Sequence, residues 1–459
     1  DVYKRQGGIV YMRKGITSIF LAVVLFCSAV FTPPLSASAA YQPDSDIYSE
    51  AAYMVNTDSG AVVYAKNENQ KMYPASLTKI IVCMMVLETE TDMQKKLKMT
   101  YEIRDELYGT GASTIDLQPG EEITVEDLLY AALVPSACDA AAILAEYYGD
   151  GSQAAFVEKM NQKAQELGAV NTHFVNAHGL HDDNQYTTAR DMYLITKAAL
   201  ATPGFEEIAT TKRYTFKATN KHPEERTYSH TNLGMLDSQY GGSYYYPYAK
   251  GIKTGTTDES GKNLVTMASK DGFNYVLVTM GAPLELDGVK QNLSIKDHQQ
   301  LYKWAFSTFA FKTVLKTTET IGTVKVRLSS DTDTLQLSPK EDLTILLPNN
   351  IDLSSIQQVV EVPESIDAPV EKGAVIGTVK LKLNDQIIGQ SDLIASMSVS
   401  KNFIYGIWDW ISSVMSSIWA KIILGIVILL VVFYIVVTIL YNRKKKRRKR
   451  LTFDKRRKK

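Results

Sequence analysis

A mixed α/β domain, then a small all-β domain, then a helix long enough to cross a bilayer is the fold class this 459-residue sequence predicts. Three observations predict it. Strand-like runs near 51–65 and 251–280 bracket a long stretch whose apolar residues recur at helical spacing. After residue 310 the texture becomes short alternating runs separated by turn residues. Residues 422–441 carry no charge and are followed by an unbroken basic block, Arg443 to Arg450.

The chain start is set aside before any fold is argued. Met12-Arg13-Lys14 is a basic opening, Ile16 to Phe31 an apolar core, and Ala37-Ser38-Ala39 a small-residue cleavage site, so residues 12–40 read as a secretory signal peptide. Cys27 follows Phe26 rather than a small residue, which argues against a lipoprotein. Residues 1–11 read as upstream read-through, since a signal peptide has no use for such a preface. Only Cys83 and Cys138 lie beyond the signal, too few for a disulfide scaffold, and spacing alone leaves open whether they pair.

The formal net charge of zero hides an asymmetry. Residues 443–459 sum to +12 and residues 1–40 to +3, which leaves the segment 41–442 at −15. The part that folds is acidic, so no basic surface for nucleic acid is expected.

The α/β domain is expected over 41–310. Ala51 to Asn56 and Val62 to Ala65 read as strands joined by Thr57-Asp58-Ser59-Gly60. A helix is expected from Ser76, after Pro74 sets φ for its start, to about Glu90. Residues 101–125 read as loop, ending in Pro119-Gly120. Helices are then expected from about Val125, from Leu133-Val134-Pro135-Ser136-Ala137-Cys138-Asp139 through Tyr148, over Gln153 to Leu167, and over Ala189 to Leu200. Gly251 to Thr256, Asn263 to Ala268 and Tyr275 to Met280 read as strands, and Ile295 to Ala310 as a closing helix.

The stretch Tyr73-Pro74-Ala75-Ser76-Leu77-Thr78-Lys79 organises the rest. Ser76 and Lys79 are three apart, so one helical face carries both. A serine hydroxyl needs a neighbouring base to become a nucleophile, and a lysine serves only when burial or another cation disfavours its ammonium form. The spacing alone is not specific: Ser398 and Lys401 repeat it.

Its company is specific. Ser76-Leu77-Thr78-Lys79, Ser136-Ala137-Cys138 and Lys253-Thr254-Gly255-Thr256 resemble, in order, the three motifs of serine penicillin-binding proteins and serine β-lactamases. The flanks Pro119-Gly120…Val125-Glu126-Asp127-Leu128-Leu129 and His178-Gly179-Leu180…Thr188-Ala189-Arg190-Asp191-Met192 are similar to low-molecular-mass D-alanyl-D-alanine carboxypeptidases, over about 45–395. The resemblance implies a transpeptidase/β-lactamase-like α/β catalytic domain, an antiparallel sheet flanked by helices.

It also implies roles. Ser76 would attack the carbonyl between the two D-alanines of a peptidoglycan stem and form an acyl-enzyme. Lys79 would take its proton, with Lys253 nearby to disfavour the ammonium form. Ser136 would relay that proton toward the leaving amine. Lys253, Thr254 and Thr256 would hold the terminal carboxylate. Gly255 would let the substrate backbone lie close to the strand edge. The N–H groups of Ser76 and Thr256 would form the oxyanion hole. The partners implied are a stem peptide ending in D-Ala-D-Ala and β-lactams as covalent inhibitors; no cofactor is implied. One residue departs from the family pattern. Its second motif usually ends in Asn, whose amide offers two donors and an acceptor, whereas Cys138 offers a weak donor and a weak acceptor. Either the enzyme tolerates the change, or the acyl-enzyme partitions more toward an amine acceptor.

Rival readings are weaker. His178, His181, Asp182 and Asp183 cluster, but two histidines three apart in a loop are not a zinc signature, so no metal is expected. Tyr244-Tyr245-Tyr246-Pro247-Tyr248 either walls the cleft or is an exposed loop. Arg190 is expected to pin a helix start. A β-lactamase would share all three motifs, but a Glu-x-x-Leu-Asn segment for deacylation is missing. A penicillin sensor or inactive scaffold would share them too, but the basic tail leaves no room for a signalling domain.

The all-β domain is expected over 312–395, from runs at Gly322 to Leu328, Thr334 to Leu337, Leu343 to Leu347, Gln357 to Val362 and Val375 to Leu383. It resembles the C-terminal domain of the same family, and no chemistry is expected of it. Residues 403–419 place Ile404, Ile407, Trp408, Ile411, Val414, Met415, Ile418 and Trp419 at three-and-four spacing, an amphipathic juxtamembrane helix. Residues 422–441 span about 30 Å as a helix. The basic tail, 442–459, places the C-terminus in the cytoplasm and the catalytic domain outside the cell membrane.

Overall fold

The apolar runs at the two ends of the first domain meet in one sheet. A computed structural model of the chain describes residue 43 and residues 46–402, then 404, 407, 411–412 and 417–456. The segments read as read-through and signal peptide, and most of 403–419, lie outside the described residues. The chain divides into two units, the first running to Phe311 and taking in Leu346–Ile351, the second holding Lys312–Ile345 and the chain from Asp352 on.

In the first unit the first nine strands are β1 (Ala51–Asn56), β2 (Val62–Lys66), β3 (Lys96–Lys98), β4 (Glu122–Thr124), β5 (Arg213–Phe216), β6 (Arg226–Ser229), β7 (Ala249–Thr257), β8 (Gly261–Lys270) and β9 (Phe273–Ala282). Five of them form an antiparallel sheet in the order β2-β1-β9-β8-β7. β1 pairs with β9 from Ala51 opposite Met280 to Asn56 opposite Tyr275, so the first strand closes only after more than two hundred residues have been placed. Every residue of β1 is buried because both faces of the sheet are covered. Tyr53 and Val55 face a core shared with the helices Lys79–Thr89, Val125–Leu133, Cys138–Tyr148, Gln153–Glu166 and Ala189–Ala201. Ala52 and Met54 face a second core built on the helix Leu293–Thr308.

The helix starts have local causes. Thr124 caps Val125–Leu133 by accepting from the Asp127 N–H at 3.1 Å and returning its own hydroxyl to Asp127 Oδ2 at 2.7 Å. Thr188 caps Ala189–Ala201 by accepting from the Asp191 N–H at 3.0 Å. Lys79–Thr89 carries apolar side chains almost all round and is a core helix.

Three expectations are corrected. The helix expected from Ser76 begins as a 3₁₀ turn, Ala75–Thr78, and becomes α only at Lys79. The stretch 101–125 is not all loop: Tyr101–Leu107 is a helix capped by Thr100, with Ile103 and Leu107 on its buried face, and Glu122–Thr124 pairs with Lys96–Lys98. The closing helix ends at Thr308, and Phe309 opens a strand. Of the tyrosine run, Tyr244 and Tyr245 are half-buried and Tyr248 is exposed. Tyr246 is buried in the second core, its ring stacked over Tyr302 at 6.3 Å.

The second unit holds a six-stranded sheet, in the order Gln357–Glu361, Val375–Leu383, Gln386–Ala395, Thr334–Pro339, Gly322–Arg327 and Ser365–Asp367. The strand Gln386–Ala395, absent from the sequence reading, pairs with Val375–Leu383 along its length. Leu343–Pro348 does not enter this sheet. Ser398 and Lys401 lie in extended chain, where the Ser398 hydroxyl accepts from the Lys372 N–H at 2.9 Å, so the second Ser-x-x-Lys makes no helical face. Ile418–Arg456 is one helix, and its part Lys421–Lys445 is long and apolar enough to cross a membrane.

Candidate active site

Pro74 enters the 3₁₀ turn in an ordinary helical conformation, but Ala75 sits at φ +48°, a region an L side chain enters at a cost. The turn is fastened by the Leu77 N–H to Pro74 O (3.2 Å) and by the Thr78 hydroxyl to Ala75 O (2.8 Å). Ala75, Leu77 and Thr78 are buried while Ser76 is half-exposed, so the hydroxyl stands at the protein surface on a rigid base.

Lys79 begins the core helix and is fully buried. Its Nζ contacts Ser76 Oγ at 2.8 Å, the backbone carbonyl of His178 at 2.5 Å and Cys138 Sγ at 3.4 Å. Ser136 precedes the helix Cys138–Tyr148 at φ +68° and is 5% exposed. The Cys138 N–H donates to Ser113 O at 2.7 Å, which ties this turn to the loop after Tyr101–Leu107. Cys83 and Cys138 are both free thiols, and burial pushes Cys83 up to about 12.

Lys253 reaches the same place from β7 and is fully buried, its Nζ donating to Thr254 O at 3.0 Å. Burial, joined by the charge of Lys79, holds it well below the usual lysine range; Cys138 and Cys83 pull weakly the other way. Thr254 and Thr256 alternate with it along the strand, Thr256 exposed. Ser76, Lys79, Cys138 and Lys253 thus form one cluster of contacts and charges. Gly255 has a structural job beside the one expected of it. A Cβ there would lie 2.8 Å from Pro74 O and 3.2 Å from Ala75 Cβ, so the missing side chain makes room for the protein's own 3₁₀ turn.

Several contacts that support the site are not legible in the sequence. The Thr231 hydroxyl lies 2.6 Å from that of Thr254 and extends the polar strip of β7. Gly179, at φ +87°, lets its loop pack on the turn of Ser76, where a Cβ would fall 2.1 Å from Ala75 O. His178 Nδ1 accepts from the Leu180 N–H (3.2 Å), which leaves Nε2–H to donate to Glu106 Oε1 at 2.9 Å. Burial pushes His178 below its ordinary value against the pull of Glu106, and the hydrogen bond from His178 in turn holds Glu106 low. Glu106 sits on the helix read as loop, which is why this support was invisible. Asp139 takes the N–H groups of Ile115, Leu117 and Ala140, and burial pushes it up to about 6.

A half-exposed serine touching a buried lysine, with a second buried lysine on a neighbouring edge strand, is the equipment of acyl transfer. The family model of D-alanyl-D-alanine carboxypeptidases (peptidase S11) matches residues 36–284, more than half of the chain, and that of the penicillin-binding protein 5 C-terminal domain matches 309–401. The chain belongs to the D-alanyl-D-alanine carboxypeptidase family.

Among relatives of this serine-type carboxypeptidase, DacF of Bacillus subtilis is 29% identical over 394 residues, 85% of this chain and 95% of that one. The D-alanyl-D-alanine carboxypeptidase of Streptomyces sp. K15 is 32% identical over 273 residues, 58% of this chain and 90% of its own. Penicillin binding protein 5 from Haemophilus influenzae matches in structure with a TM-score of 0.59 at 26% identity, over 79% of this carboxypeptidase and all of that chain. The Streptomyces K15 DD-transpeptidase matches at 0.51 and 29%, over 57% and 98%.

Proposed function

We propose that this carboxypeptidase is membrane-anchored and removes the terminal D-alanine from peptidoglycan pentapeptide stems through an acyl-enzyme on Ser76. The observation that carries the reading is the 2.8 Å contact between Lys79 Nζ and Ser76 Oγ. β7 is an edge strand, so a peptide ending in D-Ala-D-Ala has backbone groups to pair with there. Its carboxylate meets Lys253, Thr254 and Thr256. That anion restores the charge that burial and Lys79 suppress on Lys253, so substrate binding sets the two amines to different tasks. Lys79 takes the proton of Ser76 as the hydroxyl attacks the penultimate D-Ala carbonyl. The oxyanion is held by the N–H groups of Ser76 and Thr256, and Ser136 passes the proton to the leaving D-alanine. Water then hydrolyses the ester. β-Lactams enter the same path and stall at the acyl stage.

The helix within Lys421–Lys445 is the anchor, and the basic block that follows keeps the C-terminus in the cytoplasm with Ser76 outside. The full chain in detergent is expected to release D-alanine from a pentapeptide stem and to carry a long-lived fluorescent-penicillin adduct on Ser76. Fast turnover of the adduct would make it a β-lactamase, and no adduct an inactive scaffold or sensor.

A second reading concerns partitioning. Cys138 puts a thiol 3.4 Å from Lys79 where the family pattern has an amide, and a structural neighbour is named a DD-transpeptidase. An acyl-enzyme whose substrate amide is held by fewer donors gives an amine acceptor a better share. Cys138→Asn is expected to raise the ratio of hydrolysis to transfer about three- to tenfold, about one hydrogen bond's worth. An unchanged ratio would remove this reading.

A further inference from the structure

We infer that Asn263 is a positioning residue for the nucleophile, holding the turn of Ser76 in the strained form that acylation needs. Asn263 lies on β8, opposite Gly255 of β7. The register between β8 and β9 shifts between Lys262 and Leu264, so Asn263 occupies an irregularity of the strand, the kind of place where a side chain is re-aimed. Its amide donates to Tyr73 O at 2.9 Å and to Pro74 O at 3.1 Å, the two carbonyls just before Ala75. Its Oδ1 accepts from the Gly281 N–H at 2.9 Å, which fixes the amide's orientation from the central strand β9. Asn263 is 1% exposed, so water does not substitute for these bonds.

Three features converge on those carbonyls. Ala75 is held at φ +48° although an alanine gains nothing there locally. Gly255 lacks the Cβ that would intrude 2.8 Å from Pro74 O, which keeps that carbonyl open to the amide of its cross-strand neighbour. Pro74 O also takes the Leu77 N–H that begins the 3₁₀ turn, so Asn263 and the turn share one acceptor. Asn263 makes no side-chain hydrogen bond to Ser76 or Lys79. It acts on chemistry only by fixing where the turn starts, and a near-attack geometry lost by about 1 Å costs on the order of a hundredfold in rate.

The inference rests on Ser76 being the nucleophile, so the full chain, Ser76→Ala, Asn263→Asp and Asn263→Ser are compared in detergent with a fluorescent penicillin. Asp keeps the size and the acceptor but loses the donor; Ser keeps a donor on a shorter arm. Expected is a fall of about 30- to 100-fold in the second-order acylation rate for Asn263→Asp. For Asn263→Ser the fall is smaller, and the KM for a pentapeptide stem stays within about twofold while kcat falls in both. All rates are taken well below each variant's melting temperature. Folded variants acylated within twofold of the parent would overturn the inference, and so would failure of both to fold, which would assign Asn263 to the architecture alone. Labelling of Ser76→Ala, or none of the parent, would instead sink the reading of Ser76 itself.

Discussion

Lys79→Met is expected to abolish acylation, lowering the second-order rate of penicillin labelling by about 10³-fold or more while the fold persists. Methionine matches the length and much of the volume of the lysine stem, so the fully buried position is refilled rather than emptied. What disappears is the amine that touches Ser76 Oγ at 2.8 Å. One structural cost remains, because the His178 carbonyl loses its lysine donor and keeps only the weak Cys138 thiol at 3.9 Å, and a poorly satisfied buried acceptor costs about 1–3 kcal/mol. The variant also separates binding from chemistry. Lys79 is one of the two causes that hold Lys253 low, so its removal raises Lys253 toward its ordinary value. Reversible capture of the ligand carboxylate should then be retained or tighter, while the covalent step is lost. A folded variant that still labels Ser76 within tenfold of the parent rate would show that the base lies elsewhere.

The sequence carried the parts of this site that are local. Ser76 and Lys79 share a helical turn, and their relation is visible from spacing alone. Lys253, 174 positions beyond Lys79, was placed beside them only because three motifs in order resemble a family. The central strands were legible because runs such as Ala51–Asn56 are buried on both faces and so read as unbroken apolar stretches. Tyr101–Leu107 was missed because only Ile103 and Leu107 of its seven residues are buried, too short a stripe against the glycines and threonines that follow. What sequence does not show is backbone chemistry. The acceptor for Lys79 is a carbonyl 99 residues away, and any residue type at position 178 would supply it. Asn263 likewise reads as one polar residue at a strand start, and only the register of three strands aims its amide at Tyr73 and Pro74. The sequence suggests Gly255 as a place where a substrate backbone comes close, and only the structure shows that the turn of Ser76 packs against it.

That closeness recurs at Gly179, and Gly179→Ala is expected to disable the enzyme from a loop that makes no contact with substrate in the proposed mechanism. The added Cβ would lie 2.1 Å from Ala75 O, 2.4 Å from Ala75 C and 2.8 Å from Ser76 N, all backbone atoms, so no flexible side chain can yield. Position 179 also sits at φ +87°, where a Cβ costs about 1–2 kcal/mol even in open space. Forcing the loop and the turn apart adds about 1–3 kcal/mol. At about 2–4 °C per kcal/mol for a unit of this size, the melting temperature should fall by roughly 4 to 20 °C. The larger effect is on rate. The displaced loop carries the His178 carbonyl away from Lys79 and the displaced turn moves Ser76, so acylation should drop by about 100-fold or more at temperatures where the variant is folded. Gly151→Ala provides the comparison: its φ is +88°, and nothing lies within 4 Å of the added Cβ. That variant should show the backbone cost of about 1–2 kcal/mol with no change in acylation. If Gly179→Ala behaved like Gly151→Ala, the loop would be a passive neighbour, and the nucleophile's turn would have to be held by β8 alone.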